Sequence, residues 1–223
     1  MNKIIALLLL GATSLFAAPQ LKISADADRP IIIPNDLGDI RIQTVVTDLS
    51  DMSKWFDVSP QKVSPPCSGA EVTQTHTYPF TGGATLNTSV NAKLGGGGDV
   101  SVKTTWKPSA PTPGLVVHRL WLSVFISDDL LVDLDGSPFY PFPVAGDSYS
   151  VSHGGTLTFR KKSSGAFLFK ATGDYAGARL HYFTEHPEWG LSVDFHRVAD
   201  DAPDAKKFTL TASEINWKLS FKK

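Results

Sequence analysis

Four side chains in the C-terminal quarter are of the types that ligate transition metals or move protons: His181, Glu185, Asp194 and His196. They sit in two runs whose apolar residues alternate with polar ones, Leu180, Tyr182 and Thr184 in the first and Leu191, Val193 and Phe195 in the second. A hairpin that pairs Tyr182 with Phe195 places His181 opposite His196 and Phe183 opposite Asp194, with Glu185 following on the outer face. Cross-strand neighbours on one face lie about 4.5–5.5 Å apart at Cβ, so in this register both imidazoles reach one ion. Two histidines and a carboxylate suit a first-row metal, with zinc the commonest choice. The same groups suit acid–base chemistry, because imidazole titrates near neutrality. The expectation depends on register, since a slip of one residue carries the whole set to the other face. The plainer alternative is two half-exposed histidines and a solvated carboxylate on an outer sheet face.

A second group is acidic. Asp128, Asp129, Asp133 and Asp135 precede Gly136, and hard oxygen ligands on a turn suit calcium. The helical calcium loop is excluded, because Leu131 and Phe142 stand where it needs oxygen ligands. What remains is a strand-loop site or simply a polar loop closed by an Asp-Gly turn. A third group is aromatic. In Pro138-Phe139-Tyr140-Pro141-Phe142-Pro143 the prolines hold the backbone extended and present three rings as a rigid platform, which Trp189 extends. Flat rings stack on sugars or grip an apolar partner, and preorganisation lowers the entropy lost on binding. The alternative is that these rings roof the core.

Smaller signals complete the inventory. Cys67 is the single cysteine, so no intramolecular disulfide is available, and no partner histidine can be placed beside it. Asn87-Thr88-Ser89 fits a glycosylation acceptor. The Ser- and Thr-rich hairpin from Ala84 to Trp106 has the alternation of a pore-forming hairpin and equally that of an ordinary surface one. No nucleophile elbow, phosphate-cradling loop or dinucleotide fingerprint is present, and the sequence leaves open whether the chain is an enzyme.

The elements that must position these groups are strands. Ile40, Ile42, Thr44 and Val46 alternate with polar residues, as do Leu86, Thr88, Val90 and Ala92. Val100, Val102, Thr104 and Trp106 repeat the pattern, and so do Ile215, Trp217, Leu219 and Phe221. A strand sends successive side chains to opposite faces, so each run has one face for a core and one for solvent. No helical repeat with caps follows residue 18, apart from a single turn that Asp48, Ser50 and Asp51 could cap. Turn signals at Gly95–Gly98, Lys161–Gly165 and His186–Gly190 separate the runs. This grammar predicts an all-β, mainly antiparallel β-sandwich of jelly-roll or Ig-like type, with a soluble barrel as the alternative.

Residues 1–17 read as a secretory signal peptide: Lys3, an apolar run from Ile4 to Leu10, then small residues with cleavage after Ala17. Residues 18–223 are expected to form one β-sandwich domain, with a possible internal boundary at 107–114, where Pro108, Pro111 and Pro113 stiffen the chain. No stretch beyond the signal is long and apolar enough for a transmembrane helix. A formal net charge of −1 gives no excess that would draw nucleic acid. The expectation is therefore an exported protein, periplasmic or extracellular, that binds a glycan or an envelope or surface component. Phe139, Tyr140, Phe142 and Trp189 are its expected ligand-binding residues. The alternatives are a metal-dependent enzyme built on the His/His/Asp hairpin, with zinc or calcium as its ion, and a structural or assembly protein of the envelope.

Overall fold

The computed structural model describes residues 20–27, 29–34, 39–50, 58–122, 130–134, 137–139, 148–151, 155–173, 177–182, 191–196 and 209–221. The signal segment lies outside these residues. In chain order the strands begin with β1 (Leu21–Ile23), β2 (Ile31–Ile33), β3 (Ile40–Asp48), and the short β4 (Lys62–Val63) and β5 (Ser68–Gly69). A meander of β6 (Glu71–Pro79), β7 (Thr85–Leu94) and β8 (Val100–Pro108) follows, and β9 (Thr112–Leu122) leaves it. Next come β10 (Leu130–Leu134), β11 (Ser137–Phe139), β12 (Ser148–Val151), β13 (Gly155–Lys161) and β14 (Phe167–Gly173). The last are β15 (Gly177–Tyr182), β16 (Leu191–His196), β17 (Thr209–Leu210) and β18 (Ser213–Ser220).

These strands form two antiparallel sheets packed face to face. The first runs β12-β15-β16-β9-β3-β2-β1-β5, with β17 added to β9. The second runs β11-β10-β13-β14-β18-β8-β7-β6-β4. Neither sheet closes on itself, so the molecule is a β-sandwich and the barrel alternative falls away. The described residues contain no helix. The tri-proline stretch carries the chain from β8 in the second sheet to β9 in the first.

The period-two pattern sets the faces. Ile40, Ile42 and Val46 of β3, Leu86, Val90 and Ala92 of β7, and Val100, Val102 and Trp106 of β8 all join one buried cluster. Ile215, Trp217 and Leu219 of β18 join it too, and Phe159 stacks on Phe169 at 4.3 Å between ring centroids. Fully burying a side chain of this kind contributes roughly 1.5–3 kcal/mol, so the inner faces dominate the stability. In β3 the pattern breaks: Val45 and Thr47, on the opposite face, are also buried, so the end of this strand is covered on both sides.

Polar ties join the sheets. Tyr78 Oη donates to the Thr44 carbonyl at 3.3 Å, and Gln74 Nε2 donates to the Arg29 carbonyl. At one end Asp48, the last residue of β3, accepts hydrogen bonds from the main-chain N–H and hydroxyl of both Ser50 and Thr81, the latter in the β6–β7 turn. Partial burial pushes the Asp48 carboxyl up, but these four bonds together outweigh it and hold the group below the usual carboxylate range. Two glycines allow close approach. A Cβ on Gly114 would lie 2.7 Å from both Leu210 and Phe80, and one on Gly173 would lie 2.5 Å from Trp217 Cβ.

Candidate ligand-binding face

The outer face of the second sheet is a shelf of polar side chains from β6, β7, β8, β14 and β18. Their order follows from the turn at Gly95–Gly98, which pairs Leu94 with Val100 and, further along the ladder, Ser89 with Thr105 and Asn87 with Lys107. With β6 and β18 added, the cross-strand rows read Thr77–Asn87–Lys107, Thr75–Ser89–Thr105–Glu214 and Thr73–Asn91–Lys103–Asn216. A fourth row runs Glu71–Lys93–Ser101–Lys218–Thr172. Two shallow grooves cross this shelf.

The first groove, about 350 Å³, lies over Asn91, Lys93, Lys103, Asn216 and Lys218. Its polar groups bond to one another or to the acids at its margin. Lys93 pairs with Glu71 at 3.2 Å, Lys103 with Glu214 at 2.9 Å and Lys218 with Asp99 at 2.5 Å. Asn91 Nδ2 donates to Glu71 Oε1 and Thr73 Oγ1, and Asn216 Nδ2 donates to Glu214 Oε1. The donors beside each carboxyl hold it below its ordinary range: Asn91 and Lys93 for Glu71, Lys103 and Asn216 for Glu214, and Lys218 for Asp99.

The second groove, about 570 Å³, is lined by Thr75, Thr77, Asn87, Ser89, Thr105 and Lys107. His76, Thr88 and Trp106 alternate with these residues and are buried beneath the shelf, so the main chain forms the groove's floor. Among the described residues one hydrogen bond joins its side chains: Thr77 Oγ1 donates to Asn87 Oδ1 at 2.8 Å. That bond engages one lone pair of the amide oxygen and leaves the Asn87 Nδ2 hydrogens unpaired. Among the described residues no acceptor holds Lys107 Nζ, and the hydroxyls of Thr75, Ser89 and Thr105 are likewise without partners. Glu214, opposite Thr105, is the carboxylate nearest along the rows, and it is held by Lys103 and Asn216. The volume falls within the roughly 300–1,000 Å³ typical of small-ligand sites, although the groove is an open trough rather than a cleft.

The histidine hairpin forms in a different register from the expected one. Tyr182 pairs with Leu191, His181 with Ser192, and Gly177 with His196. The two histidines stand four ladder positions apart, about 13 Å along the strands, so their positions do not converge on one ion. The slip has a simple cause. An even shift leaves every residue on its face, so Leu180 opposite Val193 and Tyr182 opposite Leu191 satisfy the apolar pattern equally well. In the ladder Asp194 falls between two arginine positions, Arg179 on β15 and Arg119 on β9. Glu185 lies outside the described residues.

Of the acidic group, Asp128, Asp129 and Asp135 also lie outside the described residues. Asp133, half-buried on β10, accepts a hydrogen bond from Arg160 Nε at 2.9 Å. Among the described residues no three His, Cys, Asp or Glu side chains gather as a metal site. Phe139 ends β11 opposite Val132 at the rim of the second sheet, while Tyr140, Phe142 and Trp189 fall outside the described residues. Cys67 is exposed and unpaired.

Lys107 and Asn87, the open donors of the larger groove, were not among the residues singled out from sequence as ligand-binding. A signal for them existed in the glycine turn, whose position sets the pairing of Asn87 with Lys107.

No protein-family model matches the chain, and no curated protein matches it. Among solved structures, the alpha-galactosidase from Lactobacillus brevis aligns with 96% of this chain at 11% sequence identity and a TM-score of 0.43. The chain spans 30% of that protein's length. A likeness of that degree carries no argument about what this chain binds or does.

Proposed function

We propose that the chain is an exported binding protein that takes a glycan, free or as part of an envelope component, on the outer face of its second sheet. The larger groove carries this reading. Hydroxyl, amide and ammonium groups line it, and apart from the one Thr77–Asn87 bond they have no partners among the described residues. Sugars offer many hydroxyls of both donor and acceptor character, which is the chemistry such a trough satisfies. The floor is hydrogen-bonded strand, so the donors stand on a rigid platform and little ordering is needed on binding. The signal-like segment at residues 1–17 supports a site of action outside the cytoplasm.

The test is retention of the purified mature chain, starting at Ala18, on immobilised polysaccharides of neutral, amino and acidic classes. Retention by at least one class, lost in Ser89→Phe with its melting temperature unchanged, supports the assignment. Failure to bind any class, or equal binding by Ser89→Phe, rejects it.

A further inference from the structure

We infer that the glycan recognised in the larger groove is acidic, with a carboxylate, sulfate or phosphate group seated between Lys107 and Asn87; this rests on the binding reading above. Asn87 and Lys107 are directly opposite one another on neighbouring strands, so their side chains leave the sheet side by side. Lys107 carries a full positive charge and has no acceptor atoms. The Thr77 hydroxyl engages one lone pair of the Asn87 amide oxygen, and both amide N–H donors are free among the described residues. An oxyanion supplies several acceptor lone pairs and a compensating charge, and hydrogen bonds to charged groups are about twice as strong as neutral ones. A neutral sugar hydroxyl would fill the same space and leave the charge uncompensated.

The smaller groove is the internal control. Its three lysines each have a carboxylate partner, so the protein already supplies the anions there. On this shelf Lys107 differs from Lys93, Lys103 and Lys218 in having no carboxylate partner among the described residues, and its row, Lys62–Thr77–Asn87–Lys107, holds two lysines and no acid.

The experiment compares polygalacturonate with its fully methyl-esterified form, and dextran sulfate with dextran, by titration calorimetry on the mature chain. The acidic member of at least one pair is expected to bind, with Lys107→Gln and Asn87→Glu each lowering affinity at least tenfold while Lys103→Gln leaves it within twofold. Circular dichroism melts establish that all variants fold. If the neutral forms bind as tightly as the acidic ones, the acidic inference fails and the glycan reading survives. Loss of affinity in Lys103→Gln equal to that in Lys107→Gln overturns the inference in favour of diffuse charge attraction. If none of the four polymers binds, the inference is rejected for these anions. The retention test above then decides the wider reading by itself.

Discussion

The two grooves on the outer face share strands, alternation and residue types, yet they are finished in opposite ways. Over Asn91, Lys93, Lys103 and Lys218 every cation meets a carboxylate, and both amides donate to side-chain acceptors. Over Asn87 and Lys107, two rows away, the donors are left over. Exposed ion pairs contribute little to stability, about 0–1 kcal/mol each, so the closed groove is not explained by a large energetic gain. Its pairs leave no charge for a ligand. On the proposed reading, binding capacity on this sheet follows from which lysines have a carboxylate within reach.

That comparison breaks most visibly at the floor of the closed groove. Gly173 pairs with Trp217 there, and Gly173→Ala places a methyl group against the Trp217 backbone and the Asn216 carbonyl. Overpacking of this kind costs about 1–3 kcal/mol, measurable by urea unfolding, whereas binding in the open groove should survive in the folded fraction. Glu214→Gln sharpens the contrast from the other side. It releases Lys103, so in a Lys107→Gln background the residual affinity for dextran sulfate should rise several-fold. Acid should imitate that substitution. The carboxyls of Glu71 and Glu214 lie below their ordinary value of 4.5, so they stay ionised and keep their lysines paired as pH falls to that value. Only at lower pH are they protonated, and a sulfated probe, which keeps its charge, should then bind Lys107→Gln more tightly. The smallest effect lies beneath the open groove. Thr88 Oγ1 and Thr104 Oγ1 are buried without a hydrogen-bond partner among the described residues. Thr88→Val and Thr104→Val should therefore leave melting unchanged or raise stability by up to about 1 kcal/mol, with binding untouched.

Much of the fold was legible from alternation alone. The runs at Ile40–Val46, Leu86–Ala92, Val100–Trp106 and Ile215–Leu219 became strands with their apolar members inside. Alternation fixes a face only modulo two, and the site expectation failed on that point. Pairing Tyr182 with Phe195 or with Leu191 keeps the same residues on the same side, yet the two registers move His181 relative to His196 by four positions. The turn decides between them, and the signal at His186–Gly190 marks a turn without fixing its length. At Gly95–Gly98 the turn is short and the register follows from it, so Asn87 opposite Lys107 is derivable from the sequence. Asn87 reads first as part of a glycosylation pattern and Lys107 as the start of a proline boundary, which hides the pair. Asn87-Thr88-Ser89 lies within β7, with Thr88 buried and facing inward.

The position of β18 has a consequence for how the chain is made. This strand sits between β8 and β14, pairing Ser213 with Trp106 and Lys218 with Thr172. Until residues 213–220 emerge during synthesis or translocation, the second sheet exists as two separate halves with bare edges at β8 and β14. Bare edges of this kind are templates for aggregation, and contacts between such distant segments form slowly. Insertion of β18 between β8 and β14 covers both edges at once.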